Sequence, residues 1–472
     1  SDALESDAKF SDAVRSDAAD GDRSRWTVDV HSHVYLPRYI QMLRDRGSVP
    51  RIQTIDGQDR LLILPDEDKG TSTGARARAM PLSHLASSHP PTLHLPCSAA
   101  KGRPIGDEYW SLERKLAFMD THHIGASVLS TANPWLDFVG DRREAVELSA
   151  ALNDDMQAAC AASAGRLYGF GVLPLGVADG AGDACAAELK RLAAMRHMRG
   201  VIIGTRALDD PAKDPMWRAA EESGLTVFVH PHYGLGSAAE MGTDYGHSML
   251  LALGFPFDTS AAIARLVLSG VLDRFPKLKI LAAHSGGTLP YLAGRLDSCV
   301  MHDAHMAHRL KRKPTEYLRE LYYDAISYHR PTLDAVAAFA GADRLMFGTD
   351  HPFFSPLEGK DDAATRWASV DLNYAAMDHL DAATRDGVRY ANARRILNHT
   401  HTLGYDCLPD GALPEPGGMR PGAPAALAAK GGTLPKISEA TGTPEKDDLS
   451  ELKALSRKVE AKRVEEAKKA RN

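Results

Sequence analysis

Cysteine is scarce and scattered in this chain. Its five thiols, Cys97, Cys160, Cys185, Cys299 and Cys407, are odd in number, widely spaced and form no CxxC. That excludes a disulfide framework and reads as reduced thiols in a cytoplasmic protein. An excess of basic charge is missing too. The net charge is -6, which argues against a nucleic-acid or anionic-membrane surface. No apolar run approaches the roughly 18 residues of a membrane span. The first residues lack the basic-then-apolar pattern of a secretory leader. What the chain does have is length, 472 residues, and a hydrophobic content of 44%. Both suit one large α/β barrel with tails.

The ends differ from the middle. Residues 1–24 carry Ser-Asp-Ala four times with a period of five and few apolar residues, so a disordered tail is expected. Residues 405–442 are rich in Pro, Gly and Ala and read as a linker. A charged helix is expected over 443–472, starting at Thr443-Pro444, with Leu449, Leu452, Leu455 and Val459 as a narrow apolar stripe.

Between the tails, in 25–404, eight short runs rich in Val, Ile and Leu alternate with helical stretches. The runs are TVDVHSH (27–33), ASVLSTA (126–132), RLYGFGVLP (166–174), MRGVIIGT (198–205), LTVFVHPH (225–232), LKILAAHS (278–285), LYYDAIS (321–327) and RLMFGTDHP (344–352). Helical period appears in 143–162, 259–272 and 331–341. Continuous apolar strands alternating with helices predict a parallel sheet covered by helices. Eight such units predict a closed (β/α)8 TIM barrel. Residues 34–115 form a long polar, Pro-rich insertion after the first strand, expected to cap the barrel mouth as a lid.

In a strand, residues i and i+2 share a face, so His31 and His33 aim together. The fifth run ends in His230-Pro231-His232, the sixth in His284 and the eighth in Asp350. In a parallel barrel all strand C-termini lie at one face, where active sites are built. These residues are therefore expected to converge on one metal ion. His31, His33 and His230 supply three neutral nitrogens and Asp350 an anionic oxygen that can also move a proton. Such ligands suit Zn2+, one per subunit, and would also accept cobalt or manganese. His284 is a candidate acid, base or oxyanion partner.

The motifs VDVHSH, FVHPHYG, ALGFPFDT, AAHSGGTLPYLAGRL and RLMFGTDHPFF resemble the amidohydrolase superfamily, in the branch of aminocarboxymuconate-semialdehyde decarboxylase. The resemblance spans about residues 26–400. Within the branch it is strongest to the fungal uracil-5-carboxylate (isoorotate) decarboxylases, which similarly show HPHYG and TANPW-like and GRP-like segments. The resemblance implies a zinc-dependent, non-oxidative decarboxylase of thymine salvage, a homodimer acting on a small carboxylic acid. It also implies roles: Asp350 as proton donor with His284 beside it, and Arg103 as the contact for an anionic group. Asn133 would meet a pyrimidine amide edge, Phe255 and Phe353 would sandwich a flat ring, and His232 would touch substrate at the mouth. Asp324 is a candidate brace for a ligand histidine. Two other readings stay open: a related decarboxylase of a muconate semialdehyde or phenolic acid, and a mononuclear zinc hydrolase. A binuclear hydrolase is disfavoured, because the fourth run, Gly200–Thr205, holds no lysine to bridge two metals.

Overall fold

The structure is a computed structural model, and it describes residues 27–63, 102–177, 180–235, 245, 247–356 and 365–397. The tail, linker and C-terminal helix expected at 1–24, 405–442 and 443–472 lie outside the described residues.

Eight parallel strands follow one another in chain order around one sheet. They are β1 (Thr27–Val34), β2 (Ile124–Thr131), β3 (Leu167–Gly171), β4 (Met198–Ile203), β5 (Thr226–Val229), β6 (Lys279–Ala282), β7 (Tyr322–Asp324) and β8 (Leu345–Met346). Each falls within or beside one of the eight apolar runs. The segment after β8 closes the cylinder onto β1. Val30 N–H donates to Phe347 O at 2.9 Å, Asp350 N–H to His31 O at 2.8 Å, and His33 N–H to His351 O at 2.7 Å. Gly348 sits at this closure, and a Cβ there would come within 2.9 Å of the His31 Cβ. Only glycine lets the two segments approach this closely.

The crossovers are α1 (Leu112–Thr121), α2 (Arg142–Ala161), α3 (Ala181–Ala193), α4 (Asp214–Ser223), α5 (Phe255–Leu268), α6 (Leu289–His302), α7 (Arg330–Ala340) and α8 (Ala368–Ala375). Short polar caps start some of them: Ser111 accepts the Arg114 N–H and Asp141 that of Glu144. Strand residues alternate between two cores. Val28, Val30, Val128, Phe170, Ile202, Phe228, Leu281 and Met346 fill the cylinder. Leu129, Val201, Val227, Ile280 and Phe347 face out, against Leu192, Trp217 and Leu266 of the helical layer. Truncating one of the buried aromatics would cost about 3–5 kcal/mol.

One local feature differs from the sequence reading. The 19-residue stretch Leu250–Leu268 is long and apolar enough to cross a membrane by length and composition, where no such run was expected. Here it is a π turn leading into α5, and its Ile263, Leu266 and Val267 are core of the outer layer. The described parts of the insertion after β1, within 34–63 and 102–115, carry a helix (Pro37–Arg44) and an antiparallel sheet of Arg51–Ile55, Gln58–Leu62 and Arg103–Pro104. Asp56 and Gly57 both have positive φ, 52° and 78°, the two-residue hairpin turn an Asp-Gly pair favours.

Candidate metal centre and active-site mouth

β1 does not present its histidines by simple alternation. Asp29 pairs with Ser127 and Ser32 with Leu129, three residues against two, so the strand bulges between them. Without the bulge, the face that carries Val28 and Val30 inward would turn His31 and His33 outward. The extra residue re-aims both rings into the cylinder. The His31 N–H released from the ladder is taken by Asp29 Oδ1 at 3.1 Å.

The four ligand candidates meet. One side-chain atom each from His31, His33, His230 and Asp350 lie within 4.8 Å of one another, and all four residues are buried. The imidazoles are held so that their Nε2 atoms face inward. His31 Nδ1 pairs with Asp324 Oδ2 at 2.6 Å, His33 Nδ1 with Ser130 Oγ at 2.9 Å, and His230 Nδ1 with Pro231 O at 2.7 Å. Such outer partners fix the tautomer and ring orientation. Asp324 also accepts the backbone N–H of His284 at 2.9 Å and of Ser285 at 2.8 Å, so it braces two strand ends at once. Below the group, Phe228 closes an apolar floor, its ring 4.8 Å from His31 and 5.7 Å from His230.

The arrangement calls for positive charge at its centre. His230 Nε2 is buried with no hydrogen-bond partner, and His31 Nε2 stands 3.0 Å from His33 Nε2. Two inward ring nitrogens and an orphaned third, beside a carboxylate, fit a divalent cation. Asp350 Oδ1 lies 3.3 Å from both His31 and His33 Nε2. Burial works against charge on these groups. It drives His230 well below its ordinary range and His33 down to about 4. For His31 burial is outweighed by the carboxylates of Asp350 and Asp324, which raise it to about 10. Burial would raise Asp350, but His31, His284 and His33 hold its carboxyl well below the usual range. A proton on His31 and a cation among the Nε2 atoms are alternative answers to the same local negative charge.

His284 stands beside the group rather than in it. Its Nε2 lies 3.5 Å from Asp350 Oδ2, so the aspartate turns one oxygen to the ligand imidazoles and the other to His284. Both residues have left-handed backbones, φ 53° for His284 and 59° for Asp350. Such conformations cost about 1–3 kcal/mol each and persist where the surroundings hold them. Here Asp324 and His31 O are those holds.

The mouth residues divide. Phe353 reaches the centre, its ring 5.4 Å from that of His33. Arg103 arrives on the last strand of the insertion sheet and lies over Phe353 at 4.5 Å, near the Tyr109 hydroxyl. Asn133 is buried beside the mouth. Its side-chain amide donates to His232 O at 2.7 Å and its backbone carbonyl accepts the Tyr35 hydroxyl at 2.5 Å. His232 does not join the ligand rings. It stacks on Tyr233 at 4.0 Å and meets Trp135 edge-on at 4.7 Å, with Nε2 toward Asp137 Oδ1 at 3.3 Å. Phe255, half-buried at the start of α5, packs toward the Gly234 loop. Ser130, Tyr109 and Trp135 escaped the sequence reading. Ser130 alone had a signal, its place at the end of a strand that also ends at the mouth.

A family model described as amidohydrolase matches residues 28–398. The chain is 37% identical to Metarhizium anisopliae IDCase, whose apo crystal structure it matches with TM-score 0.68 over 79% of this chain and 97% of that one. Gamma-resorcylate decarboxylase of Rhizobium sp. is 29% identical over 303 residues, 60% of this chain and 86% of that protein. A dihydroxybenzoic acid decarboxylase structure from Polaromonas sp., which holds manganese, is 25% identical with TM-score 0.53, covering 63% of this chain and 90% of that one. The chain belongs to the amidohydrolase family, among its decarboxylases.

Proposed function

We propose that the chain converts uracil-5-carboxylate (isoorotate) to uracil and carbon dioxide, with one Zn2+ per subunit held by His31, His33, His230 and Asp350. The observation that carries the substrate class is Arg103 lying over the Phe353 ring, beside His33. A guanidinium paired with an aromatic face next to a cation site suits a flat ring bearing a carboxylate. The likeness to IDCase supports a pyrimidine as that ring.

When bound, the divalent ion would orient the substrate carboxylate and its neighbouring ring oxygen and stabilise charge. The chain's own residues supply the rest. Arg103 holds the anion, and Phe353 holds the ring plane. As the C5–CO2 bond breaks, its electron pair stays on C5, and a proton from Asp350 replaces the carboxylate there. Because Asp350 is held ionised, that proton must first reach its outer oxygen. His284 Nε2, 3.5 Å from Oδ2 and more exposed than the carboxylate, is placed to deliver it. Asn133, with its amide given to His232 O, acts through the shape of the mouth.

The test mixes metal-quantified protein with uracil-5-carboxylate and follows uracil by chromatography. Uracil formed at turnover rates, lost on chelation and restored by Zn2+, is the expected result. Full metal occupancy with no uracil would remove this substrate and turn the search to phenolic and muconate acids. Restoration by Mn2+ but not Zn2+ would replace zinc. We further propose a cytoplasmic homodimer serving thymine salvage. Light scattering at the mass of one 51.0 kDa chain would refute the dimer.

A further inference from the structure

Behind the metal face of the barrel wall lies a charged group that the reaction does not use. Lys115, on α1, is 1% exposed. Lysine is almost never fully buried unless paired. Its Nζ donates to Ser32 Oγ at 2.7 Å and to His351 Nδ1. Burial pushes the ammonium down to about 7, against the pull of Asp29 and Asp350. Asp29, itself fully buried, accepts from Thr349 Oγ1 at 2.7 Å and from the N–H groups of Thr349 and His31 at 3.1 Å each. The His351 ring is clamped between Phe118, 3.8 Å away, and Trp367, 4.6 Å away.

The sequence positions make this cluster informative. Ser32 stands between His31 and His33, and His351 follows Asp350. Residues alternate across a strand wall, so side chains that neighbour the ligands point to the opposite face. Lys115 thus touches no ligand, yet it joins the two backbone segments that carry three of the four. It does so at the barrel closure, where β8 proper is only Leu345–Met346 and the segment beyond it joins β1 through the Ser32–His351 bridge and the backbone N–H groups of His33, Thr349 and Asp350. A methionine of similar length would fill the same space without desolvating a charge. What the lysine adds, and methionine would not, is a tie from a third element, α1, to Ser32 and His351 together, beside the Asp29–Thr349 contact.

The geometry points to Lys115 as a positioning residue of the metal centre: by tying Ser32 to His351 it holds Asp350 in register with His31 and His33, and metal affinity depends on that tie. This rests on the reading of the four residues as a metal site, but not on the identity of the substrate. The experiment uses full-length apoprotein, wild type and Lys115→Met. Zn2+ affinity is measured by competition with a chromophoric chelator. Co2+ is then added to each, and its visible absorption reports ligand geometry. Circular dichroism and the melting temperature of the apoprotein report folding.

Removing a group bonded to a metal ligand typically costs about 10–100-fold in affinity; Lys115 acts one residue further out, so a loss of about tenfold is expected for Lys115→Met, with an altered Co2+ spectrum in a folded protein. A folded variant with wild-type affinity and spectrum overturns the inference. So does a variant with only a lowered melting temperature, which would assign Lys115 to stability alone. If the wild type itself binds neither ion, the metal-site reading fails first and takes this one with it. If Lys115→Met does not fold, Ser32→Ala removes the other end of the tie by a single hydroxyl. The same two readouts then decide, with a smaller loss of affinity expected and an unchanged affinity overturning the proposal.

Discussion

The chain twice places two histidines one residue apart at a strand end, and the two pairs behave differently. In His31-Ser32-His33 both rings enter the metal group; in His230-Pro231-His232 only the first does. The difference lies in the backbone. β1 continues to Val34, so beyond its bulge the two positions keep strand alternation. β5 ends at Val229, before its first histidine. Past that point Pro231 interrupts the strand, and its carbonyl accepts a hydrogen bond from His230 Nδ1. His232 is carried under Trp135 and onto Tyr233. Equal spacing in sequence therefore gives equal aim only where the strand persists through both residues.

The sharpest way to break this comparison is to delete the second ring of each pair. His33→Ala should lose the bound ion and with it turnover. His232→Ala should keep the ion, with kcat/KM falling less than about tenfold, since it removes wall packing rather than a ligand. Metal analysis of both purified variants checks this. Loss of metal from His232→Ala would mean that the two pairs are equivalent after all. Asp350→Asn comes next. It should keep much of the metal, because one oxygen still faces His31 and His33, yet lower kcat about 10²–10⁴-fold, the usual worth of a general acid. A near-normal kcat would take the proton transfer away from Asp350.

The same contrast says what the sequence could reveal. All eight strands and their order were legible, because each apolar run is continuous and bounded by helical period. The convergence of the four candidate ligands was legible because a parallel barrel puts every strand end at one face. The bulge in β1 was not, since it depends on pairing with β2, which no local pattern encodes. Lys115 was hidden for a similar reason. In α1 it reads as an ordinary surface lysine, and only the barrel closure buries it. His122, just past α1, is hidden in the same way: the Phe118 ring lies against it and its Nε2 accepts the Trp367 backbone N–H, so it is fully buried. The hairpin turn at Asp56-Gly57 is encoded locally by its Asp-Gly pair, although the strands it joins carry little apolar alternation.

Arg103 tests the mouth rather than the centre. Its substitution by alanine should raise KM for the carboxylate substrate about 10–100-fold, the equivalent of one charge-assisted hydrogen bond. The metal content should not change, because Arg103 meets Phe353 and Tyr109 and no ligand. An unchanged KM would place the anion elsewhere.

The smallest effect concerns what the turned-away His232 leans on. Asp137 lies 3.3 Å from its Nε2 and accepts the Tyr233 hydroxyl at 3.4 Å. Burial raises this carboxyl to about 6, despite the opposing pull of Arg206 and Tyr233. A carboxyl raised on folding favours the neutral form. Its contribution to stability is full below about pH 4 and is lost as pH rises through about 6. Asp137→Asn is neutral at every pH, so it should melt above the wild type at pH 8 and level with it at pH 4. The shift corresponds to at most about 3 kcal/mol, and solvent at this partly open site should reduce it to about 1 kcal/mol. Equal melting temperatures at both pH values would mean that His232 and its neighbours already solvate the ionised carboxylate. The strand-5 pair would then carry a second polar contact of its own, and the wall would be less distinct from the metal face than its geometry indicates.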